Sequence, residues 1–220
     1  MKLFLDTANV EQIKEAASLG VLSGITTNPP IIAREGGYDV KSQIAKVLPL
    51  IDGEVIAQVV SLNAEGMIKQ AQEIASWREN MVVKIPMCWE GLKAISELKK
   101  QGISTCTTVI FTPSQALLAA NAGAKYVAPF MGRSRLICQD GLQLVKDIAD
   151  IFKIHNMETQ VLVGSVENPI DAIQCAKAGA HVATVPFKTL QQMAAHPNTD
   201  INIPAVTILP PISPNNLAAI

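Results

Sequence analysis

Short apolar runs alternate with amphipathic stretches along almost all of this 220-residue chain. Short runs near 2–5, 22–25, 54–59, 81–85, 103–108, 125–129, 159–163 and 181–185, most of them rich in Val, Ile or Leu, have the length and β-branched content that predict buried strands. Between them, apolar residues recur at helical spacing over 9–19, 41–50, 64–77, 89–101, 113–122, 140–155 and 168–178. Apolar strands separated by crossover helices make a parallel sheet covered on both faces. Eight such units in a domain of this size predict an α/β fold closed as a (β/α)8 TIM barrel. A doubly wound open sheet is the alternative, because pattern alone does not close a sheet.

Punctuation agrees with this division. Gly20, Gly102, Gly123 and Gly179 each follow a helical stretch, where a left-handed cap residue is needed. Thr112-Pro113 and Asn168-Pro169 read as an N-cap followed by proline in the first turn. No linker interrupts residues 1–196, which form the barrel domain. From there Pro197, Pro204, Pro210, Pro211 and Pro214 argue against a long regular helix, so 197–220 reads as a proline-rich C-terminal tail.

Composition narrows the function. Aromatic residues make up only 4% of the chain, so the core is built from Ala, Val, Ile and Leu. The net charge of −1 offers no footprint for nucleic acid or an anionic membrane, and no apolar run is long enough for a transmembrane helix. Cys88, Cys106, Cys138 and Cys175 are too far apart for a metal knuckle or a disulfide framework. The first residues reach Asp6 too soon for a signal peptide. A reducing cytoplasm is the simplest expected location.

One residue breaks the apolar pattern. Lys84 stands in Met81-Val82-Val83-Lys84-Ile85-Pro86, with no acidic residue nearer in sequence than Glu79 and Glu90. Burial penalises an ammonium, and an amine freed of its proton attacks carbonyls to form Schiff bases. A lysine that ends an edge strand and reaches out to water is the plainer reading. In a barrel of this type the site lies at the C-terminal strand ends. The polar residues there are Asp6-Thr7, Thr26-Thr27-Asn28, Gln58, Lys84, Thr107-Thr108, the stretch from Phe130 to Arg133, and Gly164-Ser165. Each alone could be a cap or a turn former. Gathered around a strand lysine, they form a constellation suited to carbonyl chemistry.

These residues resemble the short transaldolase family, which includes fructose-6-phosphate aldolases and small bacterial transaldolases. The likeness is carried by Phe4-Leu5-Asp6-Thr7-Ala8-Asn9, Gly24-Ile25-Thr26-Thr27-Asn28-Pro29, Val82-Val83-Lys84-Ile85-Pro86, Glu90-Gly91-Leu92-Lys93-Ala94, Gln115-Ala116-Leu117-Leu118-Ala119-Ala120 and Tyr126-Val127-Ala128-Pro129-Phe130. It implies a class I aldolase barrel in which Lys84 forms the Schiff base with a ketose and Asp6 moves the proton of the C4 hydroxyl. Thr26 and Asn28 match residues that hold the dihydroxyacetone hydroxyls. Gln58 and Thr108 match a pair that positions a water, and Arg133 and Ser165 a pair that grips the distal anion. The resemblance implies no metal, and His155, His181 and His196 lack ligand spacing. A sugar phosphate or sulfosugar is the implied small-molecule partner, and a homo-oligomer, pentamer or decamer, the implied assembly.

Three departures from the family bear on specificity. Phe130 stands where aldolase-type relatives carry tyrosine and favours transfer of the three-carbon unit, whereas Gln58 and Ala128 are aldolase-like. Glu167 and Arg135 reverse the usual charges, either as a swapped ion pair between the loops after strands 6 and 7 or as a remodelled anion pocket suited to a sulfonate. The apolar tail Ile203–Ile212 lacks aromatic residues and is expected to dock on a neighbouring subunit. Transaldolase is the first reading and fructose-6-phosphate aldolase the second. An inactive sugar-phosphate-binding barrel is the non-enzymatic alternative. A deoxyribose-phosphate aldolase is disfavoured by a lysine on strand 4.

Overall fold

The computed structural model describes residues 1–36 and 39–207. Eight parallel strands close on themselves in sequence order: β1 (Lys2–Asp6), β2 (Leu22–Thr26), β3 (Glu54–Gln58), β4 (Met81–Pro86), β5 (Thr105–Ile110), β6 (Tyr126–Pro129), β7 (Gln160–Val163) and β8 (Val182–Val185), with β8 pairing back on β1. The fold is therefore the (β/α)8 TIM barrel, and the open sheet is excluded.

All eight predicted strands are present. The fifth begins later than its apolar run, because Ile103 closes the preceding helix. Gly102 takes a positive φ of 74°, and the Ile103 N–H donates to the Leu98 carbonyl at 3.0 Å, a Schellman cap. The same bond recurs after Gly123, from Ala124 N to Ala119 O, and after Gly179, from Ala180 N to Cys175 O. The repeated αβ turn is thus one device used three times.

The predicted helices appear as α1 (Val10–Ser18), α3 (Val40–Val47, continued by a 3-10 turn Leu48–Leu50), α4 (Ala64–Ala75), α5 (Trp89–Lys100), α6 (Pro113–Asn121), α8 (Gly141–Ile154) and α9 (Pro169–Lys177). Four more escaped the pattern: α2 (Pro29–Arg34), α7 (Met131–Leu136), α10 (Phe187–Ala194) and α11 (Pro197–Thr207). The first two span six residues each, too few to display a period. The last corrects the expectation for the start of the tail, since its 11 residues are helical despite Pro204 inside. All of them are exposed, so no apolar stripe announced the helix. Pro210, Pro211 and Pro214 lie outside the described residues.

Two apolar layers result from strand alternation. Leu5, Ile25, Val55, Val83, Ile85, Val127 and Val163 face the helices. Phe4, Ile56, Val82, Cys106, Tyr126, Ala128, Leu162 and Val182 fill the barrel interior, with Phe4 and Tyr126 edge-to-face at 6.3 Å. Below them the Tyr126 hydroxyl donates to Glu54 at 2.5 Å, and Lys125 pairs with the same carboxylate. Burial first, and that carboxylate second, push the Tyr126 phenol far above its usual range.

Gly24 lets β2 approach this core. A Cβ there would stand 2.5 Å from the Glu54 carbonyl oxygen and 2.8 Å from the Phe4 ring. Neither a ladder carbonyl nor a packed ring yields cheaply. Gly24→Ala is expected to cost about 3 kcal/mol and to lower Tm by roughly 5–10 °C. A melting temperature within a degree of the native value would show that β2 can shift freely.

Candidate active site

The alternation that fills the barrel also selects its polar ring. Moving one pleat toward the C-terminal ends from the interior apolar layer leads to Asp6 on β1, Thr26 on β2, Gln58 on β3, Lys84 on β4, Thr108 on β5 and Thr184 on β8. Pairing sets Asp6 beside Thr26 and Gln58 beside Lys84, whereas Thr108 pairs with Pro86 and Thr184 with Phe4, the stagger of a closed barrel. Six residues scattered over the sequence are thereby aimed into one barrel mouth.

Lys84 is buried at 6% exposure, and among the described residues its ammonium has neither a hydrogen bond nor an ion pair. This rules out the plainer reading of a lysine reaching out to water. Beside it on β5, Cys106 is fully buried, and its thiol is pushed up to about 12 by burial, with Lys84 acting in the opposite direction. Cys106 is therefore a packed, protonated thiol and no rival nucleophile.

Asp6 is half-buried and accepts from Thr26 Oγ1 at 2.7 Å through its Oδ1. Its Oδ2 has no partner among the described residues. Thr26 Oγ1 also lies 2.6 Å from Thr184 Oγ1. The Thr108 hydroxyl is buried and has no partner among the described residues, a state costing about 1–3 kcal/mol unless water or a ligand fills it. Directly after it, Val109 holds a φ of 63° where the β5–β6 register slips. A left-handed β-branched residue is strained, and bulges of this kind re-aim side chains beside sites.

Asn28 caps α2, its Oδ1 accepting from Ile31 N at 2.9 Å, which leaves the amide NH2 without a partner among the described residues. It is thus both the turn former and a candidate donor. Phe130 stacks edge-to-face on Phe111 at 6.0 Å, and the Arg133 guanidinium lies 5.1 Å from the Phe130 ring centroid. Arg133 is exposed and has no acidic partner among the described residues. Gly132 presses the loop after β6 onto the loop after β7, since a Cβ there would lie 2.4 Å from the Ser165 carbonyl oxygen. Ser165 itself has a φ of 58°. The sequence-selected residues Asp6, Thr26, Asn28, Gln58, Lys84, Thr108, Phe130, Arg133 and Ser165 all stand at the C-terminal end of the barrel.

Two expectations change. Arg135 does not pair with Glu167: both its terminal nitrogens bond Asp171, at 3.0 and 2.6 Å, tying α7 to α9. That hydrogen-bonded carboxylate raises the Arg135 guanidinium above its usual range, and Glu167 adds only a weaker, through-space contribution. The swap failed because the carboxylate one turn further along, on the buried face of α9, meets the guanidinium fork better. The second change is Thr184, passed over because it sits inside an apolar strand, Val182-Ala183-Thr184-Val185. Its even spacing from Val182, which places both inward, was the available signal.

Other motif residues are structural. Glu90 accepts from Ala64 N at 3.1 Å and pairs with Lys93, joining α4 to α5. Gln115 completes the capping box of α6 with Thr112. His181 Nδ1 accepts from Val161 N at 3.1 Å at the opposite face of the barrel, and burial lowers its pKa. Among the described residues no three His, Cys, Asp or Glu side chains gather where a metal could sit, and no helix is long and apolar enough to cross a membrane.

Fold and ring together define a TIM barrel with a polar, lysine-containing mouth. Residues 3–212 match the family Transaldolase/Fructose-6-phosphate aldolase. The chain belongs to that family, and is an enzyme of the transaldolase/aldolase type. A "Probable transaldolase" of Clostridium botulinum (strain Eklund 17B / Type B) is 52% identical over 203 residues, covering 92% of this chain and 94% of the relative. Another from Caldicellulosiruptor saccharolyticus is 52% identical over 204 residues, with 92% and 94% covered. Among solved structures, a mandelate oxidase mutant (TM-score 0.60, 13% identity, 84% of this chain and 63% of that one) and FabK from Thermotoga maritima (TM-score 0.56, 17% identity, 84% and 57%) share the fold.

Proposed function

We propose that this enzyme transfers a dihydroxyacetone unit from a ketose bearing a terminal phosphate to an aldose, through a Schiff base on Lys84. The observation that carries the reading is the Lys84 amine, buried without a counter-ion in the same ring as a carboxylate. Lys84 Nζ attacks the C2 carbonyl, and the carbonyl oxygen leaves as water. The cationic imine then accepts the electron pair of the C3–C4 bond. The C4 hydroxyl gives its proton to Asp6 as that bond breaks, releasing the aldehyde and leaving a three-carbon enamine on Lys84. Addition of the enamine to an acceptor aldehyde runs these steps backwards, with Asp6 returning the proton. Gln58 and the unpartnered Thr108 hydroxyl are suited to hold the water that imine formation and hydrolysis exchange. Asn28 offers a free amide to the donor's hydroxyls, and Arg133 with Ser165 offers a fork and a hydroxyl to the distal anion.

Phenylalanine at 130 supports transfer over release, because it has no phenol to protonate the enamine. The test is fructose 6-phosphate with and without erythrose 4-phosphate. Steady glyceraldehyde 3-phosphate formation is expected only with the acceptor, and without free dihydroxyacetone. Acceptor-independent release of dihydroxyacetone would make the enzyme an aldolase, with Gln58 the better guide. Absence of turnover under both conditions would turn attention to Glu167, Arg135 and a sulfonated donor, to be tried as 6-deoxy-6-sulfofructose in place of fructose 6-phosphate.

A sulfonated donor is the second reading. With Arg135 committed to Asp171, the exposed Glu167 carboxylate after β7 lacks a direct cationic partner among the described residues. It would repel a dianion more than a monoanion. The tail from residue 197 is read as docking on a second copy in a homo-oligomer, supported by the exposed Ile201, Ile203 and Val206 of α11. Four unpaired cysteines suit a reducing cytoplasm.

A further inference from the structure

Three oxygens on adjacent strands form a chain whose polarity can be assigned. Thr26 Oγ1 stands 2.7 Å from Asp6 Oδ1 and 2.6 Å from Thr184 Oγ1. An ionised carboxylate only accepts, so the Thr26 proton goes to Asp6. A hydroxyl has one proton, so in its contact with Thr184 the Thr26 oxygen must accept. Thr184 is therefore the donor, and it is buried at 4% exposure with no other partner among the described residues. The chain runs Thr184 to Thr26 to Asp6, from β8 to β2 and then to β1 between them.

This direction has a chemical consequence. A Thr26 hydroxyl that accepts from Thr184 has its own proton pointed at Asp6, and linked hydrogen bonds polarise one another. Oδ1 of Asp6 is then held, and Oδ2, without a partner among the described residues, is left as the basic atom. We propose that Thr184 is a positioning residue for carbon–carbon cleavage, fixing through Thr26 which oxygen of Asp6 receives the C4 hydroxyl proton. The proposal rests on the Schiff-base reading above. It assigns Thr184 no contact with substrate and no part in imine formation. The proton path is closed: the C4 hydroxyl proton arrives on Oδ2, the electrons of the C3–C4 bond enter the imine, and the protons of Thr26 and Thr184 stay in place.

The two steps can be measured apart. Dihydroxyacetone with borohydride labels Lys84 without any cleavage, and the label is counted by mass spectrometry. The burst of glyceraldehyde 3-phosphate from fructose 6-phosphate in a single turnover reports cleavage. Thr184→Val keeps the shape and removes the donor. Its burst rate is expected to fall about tenfold, the worth of one hydrogen bond in a charged chain. Labelling should stay within twofold of native, and Thr184→Ser should restore the burst to within about threefold. Should the valine form fail to fold, Thr184→Ala takes its place with the same expectation. An unchanged burst would overturn the proposal. So would labelling that falls in step with the burst, or a folded serine form no faster than the valine form. A native enzyme that takes no label would instead bring down the Lys84 reading itself.

Discussion

Lys84→Met is expected to lower turnover by about 10⁴-fold or more, since it removes the amine proposed to form the imine. Methionine preserves much of the length of the stem, and the site is buried, so the barrel should fold at least as well. The loss should therefore fall on the chemistry alone. Reduction with borohydride in the presence of dihydroxyacetone should add a three-carbon group to the native chain at Lys84 and to no residue of the variant. Residual turnover above about a hundredth of native, or a label on another lysine, would show that a different amine carries the reaction. The plain alternative, a binding barrel, predicts no label in either protein.

Asp6→Asn should lower the rate of carbon–carbon cleavage by about 10² to 10⁴, the range for removing a general base. An amide oxygen can still accept from Thr26, so the 2.7 Å bond and the local packing have reason to survive. What disappears is the atom proposed to take the C4 hydroxyl proton. Imine formation does not need that atom, so borohydride labelling of Lys84 should persist close to the native extent. Product formation and labelling separate in this variant, whereas both vanish in Lys84→Met. Near-native cleavage by Asp6→Asn would move the base to another group, and the water expected between Gln58 and Thr108 would be the next candidate. A variant that neither labels nor cleaves would give Asp6 a role in building the site.

The barrel and most of its mouth were legible in the sequence for a physical reason. Parallel strands covered on both faces must be apolar throughout, so a lysine in the fourth strand and threonines and carboxylates at strand ends stood out as exceptions. Glycines at the ends of helical stretches marked Schellman turns, because few other residues accept their positive φ. Short helices carried no comparable mark. Six residues such as those of α7 are less than two turns, and α11 presents no apolar stripe.

Charge partners were equally hidden. Arg135 and Glu167 look complementary in the linear text, yet a bidentate bond needs two oxygens at fixed angles, and Asp171 on α9 supplies them. By itself the sequence determined the repeat of strand and helix, the class of fold, and which polar residues would gather at the strand ends, because each depends on local periodicity and on the alternation of side chains. Closure of the sheet, the partner of Arg135, and the chain from Thr184 through Thr26 to Asp6 were decided only by the tertiary structure. Closing the barrel brings β8 beside β1, and so sets an oxygen from residue 184 within 2.6 Å of one from residue 26. Contacts across so long a stretch of chain depend on the register of every strand between them, which no local pattern contains.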